Sequence, residues 1–413
     1  MTKIPALLHL CAPNSRSSSL KVSVSIHIAG SSDSRPVVFT TSDKIEGVVT
    51  ITVAEKTAID DINITFEGMS RVMTWGGMNG PPLIGTRQTF MKLHHPIETG
   101  AYQPASILEP GWCYKFPFTF VVPKSLPLTA YDHEAGNAGV TKYYTRLPPS
   151  MCKETDTECY SIKYFVRVVI PRPLCGKGQT TKSLVNTVRP VKIVPSGIMD
   201  SSISFVLNTL TSRKDLRIRS GWRGRRTGHL TFLASHAEPI LSPFRQIDTT
   251  VRPNTSIQLD FAYNPVGTQL PPRLRKVYPK LNLVTSFHAT RREEYPPFIQ
   301  TKSSGLARGN HVESLTLPPI DITSTKWTGV SSANTSAVCS RQCHQPMFST
   351  EQASYTSSIL VPISIPEHKD IMPSFQSSLI SRSYTLELIL CYSTAKGTVG
   401  QTVKIEIPVE VTV

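Results

Sequence analysis

Apolar and polar residues alternate along much of this chain. Leu20, Val22, Val24, Ile26 and Ile28 are separated by Lys21, Ser23, Ser25 and His27. A period of two sends one set of side chains to a buried face and the other to water, so the segment is predicted to be a half-buried antiparallel strand. Val49, Ile51 and Val53 repeat the pattern, as do Ile62, Ile64 and Phe66 before Gly68. Phe116, Phe118, Phe120 and Val122 make a heavier strand closed by Pro123, and Tyr164, Val166 and Val168 make another before Pro171. Toward the far end, Tyr384, Leu386, Leu388 and Leu390 alternate, then Val403, Ile405, Ile407, Val409, Val411 and Val413. Pro408 falls on the polar phase of that last run, which predicts an edge strand or a bulge. The best helical window, 198–210, carries serines and β-branched residues and so has poor helix propensity.

Many strands separated by Pro, Gly and Ser turns predict an all-β fold of sandwiches. The chain has 413 residues, too many for one sandwich, so two consecutive antiparallel β-sandwiches are expected. The expected division is a flexible N-terminus over 1–19, a first sandwich over 20–195, a basic linker over 196–225, and a second sandwich over 226–413. A loose, Ser/Thr/Gly/Pro-rich insertion is expected within the last at about 300–352.

Composition adds one feature to this picture. The chain carries 44 Lys and Arg against 29 Asp and Glu, a formal net charge of +15. The excess is spread over both halves, with one dense spot. Arg213, Lys214, Arg217, Arg219, Arg223, Arg225 and Arg226 stand against Asp215 alone, with Trp222 among them. Such a cluster is either a solvated linker or a surface for anions: lipid headgroups, acidic protein segments or nucleic acid. Anionic lipid or an acidic partner is preferred here, and nucleic acid is not expected.

Other chemistry is sparse. The eight cysteines (11, 113, 152, 159, 175, 339, 343 and 391) are irregularly spaced and read as free thiols. Cys339, Cys343 and His344 cluster like zinc ligands but supply three of the four needed, with His311 or Cys175 the available fourth; chance thiols are the competing reading. Asp132-His133-Glu134 and His94-His95 lie in turn-rich surroundings and read as solvated loops. There is no G-x-S-x-G elbow, no P-loop and no G-x-G-x-x-G. An enzyme, a cofactor and a bound metal are therefore not expected. No apolar run reaches the length of a spanning helix. The stretch after Lys3 contains Pro5 and His9 and makes a poor export signal. Without export, the sequons at Asn63, Asn254 and Asn334 carry no meaning.

Several segments resemble the arrestin family, in particular the fungal arrestin-like and α-arrestin proteins. Phe39–Val49 is similar to that family's early turn, in which an acidic residue and Gly precede a strand; Thr41-Ser42-Asp43 stands where Pro-Gly-Asp is usual. Ile59–Gly68 resembles the third strand. Phe116-Pro117-Phe118-Thr119-Phe120-Val121-Val122-Pro123 matches F-P-F-x-F-x-x-P. Leu147-Pro148-Pro149-Ser150-Met151 and the strand from Tyr160 to Val169 follow in order. In the second half, Ile359–Pro366 leads to Pro373-Ser374-Phe375 and then to the Ser381-Arg382-Ser383-Tyr384 strand. The resemblance covers about 20–195 and 355–413; residues 230–300 match loosely.

The resemblance implies a non-enzymatic adaptor in the cytoplasm, recruited peripherally to the plasma membrane or endosomes. Such a protein binds cytoplasmic tails of transporters or receptors and couples them to ubiquitination or endocytic trafficking. In the family, P-P-x-Y motifs recruit ubiquitin ligases. Here the Pro pairs at 81, 148, 271, 296 and 318 are followed two places on by Ile84, Met151, Leu274, Ile299 and Asp321. Ligase recruitment by that route is not expected, and a retromer-like sorting scaffold without ligase chemistry is the alternative. Cargo, phosphorylation control and oligomeric state are not encoded in any motif of the chain.

Overall fold

The computed structural model describes residues 9–10, 22–31, 37–59, 61–74, 84–96, 106–126, 145–154, 158–171, 183–196, 212–220, 225–235, 239–241, 254–288, 308–330, 354–366, 371–394 and 400–412. Among them the regular structure is entirely β-strand. The chain divides into two compact units. The first comprises Met1–Ser196, Ser286–Gly309 and Phe375–Ser381; the second comprises Gly197–Thr285, Asn310–Ser374 and Arg382–Val413. The 198–210 window lies outside the described residues.

In the first unit a four-stranded sheet runs in the spatial order His9–Leu10, Trp112–Val121, Lys44–Val53, Val22–Ile28. A six-stranded sheet runs Val38–Phe39, Ser183–Ile193, Glu158–Pro171, Asn63–Thr74, Ile84–His94, with Met151–Glu154 paired beside Glu158–Pro171. Period-two alternation decides which side chains meet. Ile45, Val49, Ile51, Phe116, Phe118 and Phe120 are buried from the smaller sheet, and Ile64, Phe66, Tyr164, Val166 and Val168 from the larger. Phe66 bridges the two layers, its ring centroid 5.8 Å from Phe120 and 6.1 Å from Tyr164.

The turn before the Lys44–Val53 strand is built by its own side chains. Asp43 accepts from the Thr40 N–H at 2.7 Å through Oδ2, and its own N–H donates to the Thr40 carbonyl at 3.1 Å. Ser42 has φ of 70°, the left-handed region that favours glycine. Leu147–Met151 is equally well tied. Tyr164 donates its hydroxyl to the Pro148 carbonyl at 2.6 Å, and Ser150 Oγ accepts from the Ile193 N–H at 2.8 Å.

The second unit repeats the plan. One sheet runs Ser212–Ser220, Arg225–Ala234, Asn254–Pro265, Ser354–Ser364, Thr328–Val330. The facing sheet contains Arg308–Thr316, Arg273–His288 and Ile380–Ser393 in that order, with Gln401–Val409 beside the last and Ile320–Asp321 beside Arg273–His288. One apolar core joins them, with Leu230, Phe232, Leu259, Phe261 and Val361 on one side and Val277, Leu386, Leu388, Leu390 and Ile405 on the other. Phe232 and Phe261 stack at 5.1 Å. The Pro373-Ser374 segment is fastened by short bonds. Ser374 N–H donates to the Val411 carbonyl at 2.8 Å, Ser374 Oγ accepts from the Val411 N–H at 2.9 Å, and Tyr384 donates its hydroxyl to the Met372 carbonyl at 2.6 Å. Both units thus use a core tyrosine to hold a proline-containing segment.

Two expected boundaries are corrected. Residues 212–220 are not part of a linker, because Ser212–Ser220 is the first strand of the second unit. The expected loose insertion at 300–352 contains the strand Arg308–Thr316, the short Ile320–Asp321 and Thr328–Val330; residues 331–353 lie outside the described ones. These pieces are outer strands that bury little on either face, so period-two alternation is weak in them. Pro408 does sit on an outer strand: among the described residues, Gln401–Val409 has one ladder partner, and Pro408 stands opposite Thr385.

The solvent side of the second unit's larger sheet carries a polar chain across four strands. Ser314 Oγ donates to Asn282 Oδ1 at 2.8 Å, Asn282 Nδ2 donates to Glu387 Oε2 at 3.0 Å, and Lys404 Nζ lies 2.7 Å from Glu387 and 2.8 Å from Glu406. The Lys404 ammonium, ahead of Asn282, holds the buried Glu387 carboxyl below the ordinary range, and Glu387 in turn raises Lys404. A depressed carboxyl stabilises the fold above its unfolded pKa, about 4.3, and loses that contribution as pH falls through the folded value. Glu387→Gln is expected to cost about 1 kcal/mol at neutral pH, since Lys404 is half-exposed and screened by water. Denaturant titrations of both proteins should converge once pH has fallen below the lowered value of the folded carboxyl. A gap that persists into acid would place the effect elsewhere.

Candidate anionic-partner surface on an edge hairpin

The basic cluster folds into a hairpin because two of its residues are apolar and two places apart. Leu216 and Ile218 turn inward, Ile218 fully into the core beside Leu230 and Phe232. That phase sends Arg213, Asp215, Arg217 and Arg219 to the solvent face. The second strand, Arg225–Ala234, pairs antiparallel with the first: Arg213 stands opposite Leu233, Asp215 opposite Thr231, Arg217 opposite His229, and Arg219 opposite Arg226.

A register shift between Ile218 and Arg219 leaves Thr227 as an extra residue on the second strand. This bulge is fully bonded. The Thr227 carbonyl accepts from the Val266 N–H at 2.8 Å and from the Tyr263 hydroxyl at 2.9 Å, and Thr227 Oγ1 donates to the Ile218 carbonyl at 3.2 Å. Bulges bend and twist a strand locally and re-aim its side chains. Here the bulge brings Arg226 beside Arg219. The Tyr263 ring lies over Gly228, where a Cβ would sit 2.5 Å from three of its atoms. Burial pushes the Tyr263 phenol up, so it remains a hydrogen-bond donor.

The seven predicted cations do not act as one group. Arg213 is engaged: its Nε and Nη2 donate to the two Asp215 carboxylate oxygens at 3.0 and 3.2 Å. Asp215 also accepts from Thr231 Oγ1 at 2.8 Å. The Arg213 guanidinium first, then Thr231, hold its carboxyl below the usual range. Lys214 is exposed but on the opposite side of the strand from the arginines. Arg217, Arg219 and Arg226 are exposed together with no acidic partner among the described residues. Arg225 opens the second strand opposite Ser220. Arg223 and Trp222 lie outside the described residues. His229 and the neutralising role of Asp215 are additions from the structure, since cross-strand neighbours are invisible in a linear reading.

Positive charge here is confined to a strip. On the next strand inward, Asp260 stands opposite Leu233 and accepts from Gln258 Nε2 at 3.0 Å. Among the described residues the Ser212–Ser220 strand has one ladder partner, Arg225–Ala234. Its first residue is fixed by Ser212 Oγ donating to the Glu406 carbonyl at 2.8 Å.

Other sequence candidates fall as follows. His95 packs edge-on against Phe120 at 5.8 Å, and burial lowers its pKa. His311 pairs with Glu313 at 2.9 Å. Among the described residues Cys113 is buried, Cys152 exposed, and Cys159 and Cys391 half-buried, and none of the four forms a disulfide. Cys339, Cys343, His344, Cys175 and Asp132-His133-Glu134 lie outside the described residues. Among the described residues no three His, Cys, Asp or Glu side chains gather around one point. No helix among them is long and apolar enough to cross a membrane.

No family model matches this chain, and no curated protein matches it.

Proposed function

We propose that the protein is a non-enzymatic, arrestin-like adaptor of the cytoplasm. In this reading it is recruited to plasma membrane or endosomes and binds cytoplasmic parts of transporters or receptors. It couples them to ubiquitination or endocytic trafficking. The observation that carries the reading is the strip of exposed arginines on a strand edge of an all-β scaffold. The ordered series of arrestin-like segments supports it further. Broad sheet faces and strand edges suit the capture of extended tails.

A retromer-like sorting scaffold is the second reading, favoured by the five Pro pairs that do not complete P-P-x-Y. Affinity capture from the native cell separates the two, with Arg217, Arg219 and Arg226 replaced by Gln as the comparison. The expected result is recovery of membrane transporters with ligase or endocytic components by the wild type, reduced by about tenfold for the triple variant. A stable coat complex without ligase would favour the scaffold. Recovery of neither would end both readings.

A further inference from the structure

Strand register gathers three sulfurs that the sequence keeps apart. In the hairpin of Met151–Glu154 and Glu158–Pro171, Cys152 stands opposite Ser161 and Cys159 opposite Glu154. The two thiols are therefore diagonal neighbours on one face. On its other side Cys159 stands opposite Met73 of the Asn63–Thr74 strand. The alternate residues Val72, Tyr160 and Ile162 are buried in the core, so the sulfurs share the outer face of the sheet. Cys152 is exposed there, and Cys159 and Met73 are half-buried.

Spacing decides what the two thiols can do. A disulfide needs Cβ atoms about 3.8 Å apart. Diagonal neighbours lie about 7 Å apart or a little less, and neither cysteine forms a disulfide. Two thiolates on one metal ion, each bonded at about 2.3 Å, hold their sulfurs about 4.6 Å apart, which the diagonal accommodates when both side chains turn inward. Met73 is the third donor. Its chain lies over Gly85, where a Cβ would be 3.2 Å from Met73 Cγ, and three rotatable bonds let the thioether swing toward Cys159.

The donor set selects the metal. Thiolate and thioether are soft ligands that favour copper(I). Structural zinc takes four ligands. Among the described residues no three His, Cys, Asp or Glu gather, so Glu154 does not complete a zinc set with the two thiols. Copper(I) on two thiolates carries one negative charge. Arg71 stands opposite Ser161, Arg87 opposite Arg71, and Lys163 two residues from Ser161, all exposed on the same face. They give that charge a positive surrounding.

We propose that Cys152 and Cys159, with Met73 as third donor, bind one copper(I) ion on the outer face of the first unit's six-stranded sheet. Binding forms two copper–thiolate bonds and releases both thiol protons to water, with no change in oxidation state. The site goes beyond the adaptor reading and shares no residue with the arginine hairpin.

The probe is copper(I) supplied as its bicinchoninate complex under nitrogen to the full-length chain. Cys339→Ser and Cys343→Ser are introduced first, so that the other cysteine cluster contributes nothing. This chain should withdraw one equivalent of copper from the chelator. Adding Cys152→Ser or Cys159→Ser should weaken the site by about a hundredfold, and Met73→Leu by about tenfold, with unchanged circular-dichroism spectra. Iodoacetamide labelling of the unaltered chain, read by mass spectrometry, needs no variant. One equivalent of copper(I) should protect Cys152 and Cys159 together, and its removal by excess chelator should restore the labelling of both. Labelling of Cys152 and Cys159 that the metal does not change would overturn the site. So would a tightly held equivalent that survives both serine substitutions.

Discussion

Gly47→Ala is expected to lower the stability of the first unit by about 3 kcal/mol, at the upper end of what overpacking costs. A Cβ at this position would lie 2.2 Å from the His27 carbonyl oxygen and 2.4 Å from Cζ of Phe118. Neither neighbour has room to retreat. Phe118 is buried and its ring lies 5.7 Å from that of Phe120. His27 belongs to Val22–Ile28, which pairs with Lys44–Val53 through Ile28 opposite Gly47. Relief requires the Val22–Ile28 strand to move off its partner. Equilibrium denaturation should show the lost stability, and hydrogen exchange should show fast exchange over residues 22–28 first. Gly329 provides the control, because a Cβ there meets only Tyr355 at 3.8 Å, and its alanine variant should be close to neutral. If Gly47→Ala behaves like Gly329→Ala, the tight approach of these three strands is wrong.

The same glycine shows what a sequence carries without stating its reason. Glu46-Gly47 is visible as part of an early turn and strand, yet the need for glycine comes from two strands that are neighbours only in space. Strands with one face in the core were legible throughout: Val49, Ile51 and Val53, the Phe116–Phe120 set, and Tyr384 to Leu390 are all buried on the expected phase. The outer strands were not. Ser212–Ser220 contributes only Leu216 and Ile218 to the interior, and five charged residues mask their spacing. Arg308–Thr316 has exposed Val312 on a mostly polar strand, so its pattern carries no clear period.

The candidate site was legible as charge density and no further. Seven cations in fourteen residues mark an electrostatic feature whether the segment is linker or strand. Which of them are free depends on geometry. Arg213 is tied to Asp215, Lys214 points the other way, and Arg226 reaches Arg219 through a bulge whose position no local motif announces. The bulge depends on Tyr263, thirty-six residues from Thr227. Long-range register therefore decides whether a run of basic residues becomes a surface with direction.

That dependence gives the second large effect. Tyr263→Ala should cost about 4 kcal/mol, the usual loss for an aromatic ring removed from a core. Tyr263 is buried against Gly228 and is surrounded by Trp327 at 6.4 Å and Tyr355 at 6.5 Å. Tyr263→Phe keeps the ring and removes only the bond to the Thr227 carbonyl, which the Val266 N–H still partly satisfies, so it should cost about 1 kcal/mol. The two variants separate packing from aim. Tyr263→Phe leaves the core filled while loosening the bulge that sets Arg226 beside Arg219, so hydrogen exchange should rise over 225–230 and remain unchanged over 254–262. Tyr263→Ala should raise exchange across both strands and lower the denaturation midpoint of the second unit. If Tyr263→Phe left the 225–230 segment as protected as in the wild type, the hydroxyl would have no part in holding the arginines in line.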